Sequence, residues 1–286
     1  MDTNTLLLST NFQVKSPGTG RYFLADITFL PTNKKKPVVI FAHGFKGFKD
    51  WGPYNAMARY FASQGFVFIK FNFSHNGVTL KDPIDFADLE AFGNDNHSTQ
   101  LADITAVLNY IAAEGTPLPP EELDLQRVSL IGHSRGGSLV LLKAAEEPRI
   151  HKVVTWAAVS DLLASYSAEA LTDWKTSGVR WVANTRTKQS MPVYYQYYED
   201  LIINAQRLDV LKASASLKQP LLLIHAENDE TVPLSNAQSI HQHALHSELL
   251  IIKGANHTFG GTHPFTANTL PETLQQLYNT TIQFLQ

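Results

Sequence analysis

The chain has 286 residues, of which 44% are hydrophobic and 17% charged, so it can bury a large core. Its formal net charge of -3 provides no basic field, which argues against nucleic acid as a partner. Because the sequence contains 0 cysteines, disulfides, thiolate metal sites and a cysteine nucleophile are all excluded.

No targeting or membrane-spanning segment is evident along the sequence. No stretch approaches the ~20 apolar residues of a membrane span. The start, MDTNTLLLSTNF, lacks the basic flank and the long apolar run of a signal peptide. We therefore expect a cytoplasmic protein without a membrane partner.

Apolar runs and helical periodicities alternate along the chain. Strands are predicted at residues 23–30, 37–42, 66–71, 127–131, 152–157, 220–225 and 249–253. Helices are predicted at residues 54–63, around Leu101, Ile104, Leu108 and Ile111, at residues 135–146 and from Pro271 onwards. This alternation indicates an α/β protein whose mainly parallel sheet is covered by helices on both faces.

Residues 161–208 break the alternation, because they contain no run typical of a strand. We expect them to form an inserted helical cap within one domain of residues 1–286, and long insertions often cover a site. The cap is rich in aromatic side chains: Trp174, Trp181, Tyr194, Tyr195, Tyr197 and Tyr198. Together they would offer flat walls for an aryl or short acyl group, although any single tyrosine could equally pack the cap onto the core.

The segment Gly132-His133-Ser134-Arg135-Gly136 matches the pattern G-x-S-x-G and lies between a predicted strand and a predicted helix. In that context the serine occupies a strained turn, and the glycines allow the strand and the helix to approach closely. The helix N-terminus also favours negative charge nearby. The pattern predicts a nucleophile at Ser134, and a glycine-rich loop with an incidental serine is the weaker alternative.

A serine nucleophile needs a base and an orienting acid, which follow the serine in chain order in this type of fold. The loop after residues 220–225 offers Glu227, Asp229 and Glu230 as acids. The loop after residues 249–253 offers His257 and His263 as bases. Since parallel strands place their carboxyl ends at one edge of a sheet, both loops should meet the serine there.

Acyl transfer also needs backbone N–H donors for the oxyanion of the tetrahedral intermediate. Arg135 directly follows the predicted nucleophile and supplies one donor. Phe45, in the segment His43-Gly44-Phe45 at the end of a strand, is positioned to supply the second. The alternative for this segment is an ordinary turn.

The segments GHSRGG, FAHGFKGFKDWG, HAENDETVP and GANHTFGG resemble the α/β-hydrolase superfamily. Within it the chain most resembles bacterial serine esterases of the cinnamoyl/feruloyl esterase type and dienelactone-hydrolase-like proteins. The resemblance extends from about Asp26 and is weakest in the cap. It implies Ser134 as nucleophile, Asp229 as acid and His257 as base. It also implies an oxyanion hole at Phe45 and Arg135, with no cofactor and no metal.

Two departures bear on the substrate. Relatives often read F-D-x-R-G-x-G where this chain reads FNFSHNG from Phe71 to Gly77, so the mouth of the site differs. True dienelactone hydrolases use a cysteine, and its absence disfavours that activity. We expect a serine hydrolase, a carboxylesterase that cleaves a small-molecule ester. A peptidase or thioesterase with the same triad and a non-catalytic binding protein on a hydrolase fold are the alternatives.

Overall fold

The structure is a computed structural model that describes residues 7–163, 166–267 and 269–286. Its strands are β1 (Leu8–Lys15), β2 (Tyr22–Phe29), β3 (Lys36–Ala42), β4 (Val67–Phe71), β5 (Leu123–His133), β6 (Ile150–Trp156), β7 (Val179–Asn184), β8 (Gln189–Tyr194), β9 (Leu221–Ala226) and β10 (Ser247–Ile252). Its helices are α1 (Tyr54–Ser63), α2 (Leu89–Gly93), α3 (His97–Ala112), α4 (Arg135–Glu146), α5 (Ala168–Ser177), α6 (Gln196–Ile203), α7 (Val210–Ser216), α8 (Ser235–His243) and α9 (Glu272–Leu285).

A mainly parallel sheet forms the centre of the fold. Within the described ranges it has eight strands in the order β1-β2-β4-β3-β5-β6-β9-β10. Strand β2 pairs antiparallel with both β1 and β4, and the remaining neighbours pair in parallel. The predicted α/β class with its mainly parallel sheet is therefore confirmed.

Helices cover both faces of this sheet, which explains why its central strands are continuously apolar. In β3, Val38 and Ile40 pack into the core beneath α3 and α4. Val39 and Phe41 point the other way, into the core that α1 and α9 cover. The side-chain period of two along a strand thus divides one apolar run between two cores.

The predicted strands and helices of the central sheet are all confirmed, with bounds that differ by a few residues. Strand β1 was not predicted. It lies at the edge of the sheet, and of its residues Phe12 and Val14 are buried while the other six are exposed. A strand with so little buried surface carries a weak hydrophobic pattern.

The insertion between β6 and β9 differs in part from its prediction. Helices α5 and α6 form as expected of a helical cap, but β7 and β8 pair with each other as an antiparallel hairpin. The prediction that residues 161–208 contain no strand is therefore wrong. Residues 164 and 165 of this insertion lie outside the described residues. The hairpin is separate from the main sheet, and its outward positions are polar or exposed, which hides its period-two pattern.

The carboxyl ends of the parallel strands bring four loops to one edge of the sheet. Strand β3 leads into Gly44 and β5 leads into Ser134, while the loops after β9 and β10 carry the predicted acids and bases. No helix among the described residues is long and apolar enough to cross a membrane. The assignment of residues 1–286 to one domain stays a prediction.

Candidate active site

Ser134 occupies a sharp corner between β5 and α4. Its backbone has φ 56° and ψ -123°, a conformation that residues with a side chain rarely adopt. The Ser134 N–H donates to the Trp156 carbonyl at 2.8 Å, and the Gly137 N–H donates to the Ser134 carbonyl at 2.8 Å. These bonds hold the strained residue between the neighbouring strand and the first turn of α4.

The glycines around Ser134 are required by close backbone approach. A Cβ at Gly132 would lie 2.1 Å from the Gly136 carbonyl oxygen, and one at Gly136 would lie 2.3 Å from the Ala42 carbonyl oxygen. A Cβ at Gly137 would lie 2.7 Å from the Ala158 Cβ. Any side chain here would force α4 away from the sheet and move the corner with it.

The loop after β3 lies directly against this corner. A Cβ at Gly44 would lie 3.0 Å from the Ser134 Cβ and 3.5 Å from its Oγ. The neighbouring Phe45 N–H has no acceptor in the described part of the chain. Arg135 is the first residue of α4, so its N–H has no partner within the helix. One predicted oxyanion donor is thus the backbone amide of the residue after Ser134. The other is the amide of the residue after Gly44, the glycine that packs against Ser134.

Asp229 and His257 meet across the loops that follow β9 and β10. The His257 Nδ1 lies 2.8 Å from Asp229 Oδ2 and 3.0 Å from Oδ1. The Asp229 side chain is fully buried, and its Oδ1 also accepts the N–H groups of Thr231 at 2.9 Å and Val232 at 2.8 Å. Burial alone would raise the pKa of Asp229, but the bonds from His257 and Val232 outweigh it and hold that pKa below its usual value.

The other sequence candidates lie apart from this pair. Glu227 Oε2 accepts the Gly254 N–H at 3.0 Å, which ties the two loops together. Glu230 is exposed. His263 accepts the Gly52 N–H on its Nδ1 at 2.8 Å, and its ring stacks on Trp51. None of the three therefore bonds to the Asp229–His257 pair within the described residues.

A cavity of about 260 Å³ opens where these loops meet. Its lining residues are Gly44, Phe45, Lys46, Gly47, Trp51, Tyr54, His133, Ser134, Asn184, Thr185, Arg186, His257 and Thr258. Ser134 and His257 thus share one cavity wall, although no hydrogen bond joins them in the described structure. Such bonds are often long in unliganded enzymes and tighten when substrate binds.

The aromatic wall of this cavity comes from the sheet side of the molecule. Phe45, Trp51 and Tyr54 supply it, while the cap contributes the turn that begins at Asn184. The four cap tyrosines are not among the described lining residues: Tyr194, Tyr195, Tyr197 and Tyr198. The prediction that they form the substrate walls is wrong, because they pack against other parts of the cap and the core.

Particular contacts explain where the tyrosines go. The Tyr194 hydroxyl donates to Glu90 at 2.6 Å, and its ring fits against Gly93 of α2. Tyr197 is buried with its hydroxyl 3.3 Å from His97 Nε2. The rings of Tyr195 and Tyr198 lie 5.6 Å apart and surround Trp174. These contacts anchor the cap.

The buried Arg135 side chain supports the site from below, a role that sequence reasoning missed. Its Nη2 lies 3.2 Å from Asp95 Oδ2, and its guanidinium sits 4.5 Å from the Phe45 ring centroid. Burial raises the pKa of Asp95 to about 7, although Arg135 opposes the shift. The Arg135 side chain therefore links the two residues predicted to donate to the oxyanion, because it belongs to one of them and packs against the ring of the other, Phe45.

The described residues offer no cluster of side chains suited to binding a metal ion. No group of three or more His, Asp or Glu residues that could hold a metal ion occurs within residues 7–163, 166–267 and 269–286. His241 and His243, which share a helix, are exposed, and their Nδ1 atoms contact Ser247 and the Ser239 carbonyl.

The fold and the sequence family of this chain define a hydrolase of the serine α/β-hydrolase kind. The chain belongs to the prolyl oligopeptidase family, whose sequence profile matches residues 54–270. The resemblance to α/β-hydrolases inferred from the sequence motifs is thereby confirmed.

Two solved structures and one curated protein illustrate these similarities. Est1E from Butyrivibrio proteoclasticus, solved with ferulic acid bound, superposes with a TM-score of 0.69 at 18% identity, covering 96% of this chain and 97% of that one. A putative dienelactone hydrolase from Klebsiella pneumoniae superposes with a TM-score of 0.60 at 14% identity, covering 97% and 98%. Human serine hydrolase BPHL is 28% identical over 149 residues, which are 47% of this chain and 50% of BPHL. The chain thus matches about half the length of that relative, and the structural similarities establish the fold alone.

Proposed function

We propose that this chain is an esterase that cleaves carboxylic esters of small molecules through an acyl-enzyme on Ser134. One observation carries the proposal: Ser134, on its strained corner, shares a cavity wall with His257, whose Nδ1 lies 2.8 Å from the buried Asp229. A nucleophile, a base and an orienting acid in that relation are the components of serine acyl transfer.

The geometry supports a definite role for each group. Ser134 Oγ attacks the ester carbonyl carbon while His257 Nε2 accepts the hydroxyl proton. Asp229 holds the Nδ1–H tautomer and stabilises the imidazolium, and the N–H groups of Phe45 and Arg135 bind the oxyanion. His257 then protonates the departing alcohol, and a water molecule activated by His257 releases the acid from Ser134.

The charges around the cavity favour an ester over the substrate of an aminopeptidase. Its described lining residues include the cations Lys46 and Arg186 and no carboxylate. Arg186 pairs at 2.7 Å with Asp85, and Lys46 Nζ donates at 3.0 Å to the Ala183 carbonyl. The α-ammonium group of a peptide would therefore find no free carboxylate counter-ion among the described lining residues, because Asp85 lies outside them and is already paired with Arg186.

A matched pair of substrates tests the bond that is cleaved. We expect 4-nitrophenyl butanoate to be hydrolysed and butanoyl 4-nitroanilide to give no measurable turnover, and the anilide is the informative substrate because the activated ester is intrinsically the more reactive of the two. The two share the acyl group and the aryl leaving group and differ in the ester or amide link. Measurable cleavage of the anilide would assign the chain to the alternative peptidase activity, and a higher kcat/KM for a butanoyl thioester than for the ester would assign it to the thioesterase activity. Turnover of none of the three would favour the non-catalytic alternative.

The size of the cavity predicts a limit on the acyl chain. At about 260 Å³ it lies below the ~300–1,000 Å³ typical of drug-sized ligand pockets. We expect 4-nitrophenyl esters with aryl or roughly C2–C8 acyl groups to be cleaved far better than the C16 ester. A series of kcat/KM values across chain lengths measures this, and Trp51→Ala should move the optimum to longer chains by enlarging the wall. A preference of the unaltered protein for long-chain triglycerides would contradict it.

A further inference from the structure

His133, directly before Ser134, contacts the backbone of the residue proposed as the base. Its Nε2 lies 2.9 Å from the His257 carbonyl oxygen, and its Nδ1 lies 3.4 Å from the Tyr54 hydroxyl. The two histidine rings are 4.9 Å apart. This contact joins residues 124 positions apart in sequence and connects the nucleophile corner directly to the loop after β10.

The chemistry of the partners fixes which nitrogen of His133 carries the proton. A carbonyl oxygen only accepts, so Nε2 must be the donor, and Nδ1 can then accept from the Tyr54 hydroxyl. His133 is 8% exposed, and burial lowers its pKa to about 3, with the nearby His257 acting in the same direction. The ring is therefore neutral over the working pH range and has one N–H to donate.

The topology explains why this hydrogen bond matters. Strands β6 and β9 separate β5 from β10, so the loop that carries His257 must cross roughly 14 Å of sheet edge to reach Ser134. One side of the loop is tied by the Asn228 N–H to the Ala255 carbonyl at 3.0 Å, and the other by Thr273 Oγ1 to the Phe259 carbonyl at 2.8 Å. Between them, the His257 carbonyl has His133 as its hydrogen-bond donor among the described residues.

We propose that His133 is a positioning residue that sets the location of the His257 backbone relative to Ser134 through its Nε2–H···O=C bond. The inference rests on the proposed function, because it assumes that His257 is the base. Asp229 fixes the rotation of the imidazole through Nδ1, whereas His133 fixes the backbone from which that ring extends. Both are needed to hold Nε2 at the serine hydroxyl.

Substitutions at His133 separate the hydrogen bond from the packing. His133→Phe keeps a planar ring and removes the donor, whereas His133→Gln keeps an N–H donor close to the Nε2 position. We expect His133→Phe to lower kcat by roughly 10- to 100-fold, the scale of a misplaced catalytic group, with KM changed less than about twofold. His133→Gln should recover most of the lost kcat. The reaction of Ser134 with a fluorophosphonate should likewise be slower in His133→Phe and return towards the original rate in His133→Gln.

The matched control is His75→Phe. His75 is also 8% exposed, and burial lowers its pKa to about 4. Although it belongs to the segment of residues 71–77, no residue of that segment is among the described lining residues of the cavity, so the control removes a similarly buried imidazole outside the cavity wall. We expect His75→Phe to lower the thermal midpoint without lowering kcat. Should His133→Phe not fold, His133→Asn serves in its place, because its shorter amide cannot reach the His257 carbonyl and should behave like the phenylalanine variant.

The outcomes distinguish this inference from the proposed function. Unchanged kcat in His133→Phe, or a kcat as low in His133→Gln as in His133→Phe, would overturn the positioning role. If His75→Phe also loses kcat as its thermal midpoint falls, lost stability alone would account for the effect of His133→Phe, and the positioning role would be overturned. If Ser134→Ala retains ester hydrolysis, the proposed function itself fails. If Ser134→Ala is inactive while His133→Phe is normal, the positioning role alone is wrong.

Discussion

Ser134→Ala is expected to lower kcat for ester hydrolysis by roughly 10⁶-fold, the scale found when a serine nucleophile is removed from a triad. The hydroxyl is the atom that forms the acyl-enzyme, and no other group on this corner can replace it. Labelling by a fluorophosphonate should be abolished. The fold should survive, because the contacts that hold the corner are made by the backbone of Ser134 and by the flanking glycines.

Ser138→Ala is the matched control for this variant. Ser138 lies four residues further along in α4, and its Oγ donates at 2.7 Å to the Val159 carbonyl outside the cavity wall. We expect it to be labelled at the same stoichiometry as the unaltered chain. Labelling of Ser134→Ala at an unchanged stoichiometry would show that the reactive serine is elsewhere.

The second large effect concerns the His257–Asp229 pair. We expect His257→Ala to lower kcat by roughly 10⁶-fold and Asp229→Asn by roughly 10⁴-fold. An asparagine amide would donate to Nδ1 and leave the proton on Nε2, so the ring could no longer accept the proton from Ser134. Steady-state kinetics on 4-nitrophenyl butanoate measure both losses, and circular dichroism verifies the fold.

Two neighbouring residues provide the controls for this pair. His263→Ala and Glu227→Gln alter residues that accept N–H bonds from Gly52 and Gly254, so they should change kcat by less than about tenfold. Full activity in His257→Ala together with inactivity in His263→Ala would transfer the role of base to His263. A severe loss in Glu227→Gln with a mild one in Asp229→Asn would show that the acid is misassigned.

Much of the predicted site depends on local signals. The corner at Ser134 was predictable because Gly132, Gly136 and Gly137 each stand where a Cβ would meet backbone or side-chain atoms within 3 Å. Glycines at this spacing in the sequence therefore indicate that backbone segments approach each other closely. The choice of Asp229 instead rested on resemblance, because Glu227 occupies the same loop. For His257 the sequence added a local signal, since glycines flank it closely whereas His263 precedes Pro264.

The cap shows where local pattern was insufficient. The tyrosines of residues 194–198 were predicted as substrate walls, but composition does not reveal which direction a side chain faces. The hairpin of β7 and β8 carries little alternation, because Met191, Pro192 and Val193 are buried in succession, and a polar turn separates its strands. Its turn is the part of the cap that reaches the cavity, through Asn184, Thr185 and Arg186.

By itself the sequence determined the α/β class, the order of the central elements and the corner that carries Ser134, because periodicity and close-packed glycines act over a few residues. Only the tertiary structure decided which acid meets which histidine, that Trp51 and Tyr54 line the cavity, and that His133 contacts the His257 backbone. Such contacts join residues as many as 124 positions apart. These contacts depend on which strands are neighbours and on how the loops cross between them. A pattern of neighbouring residues along the sequence contains no information on either.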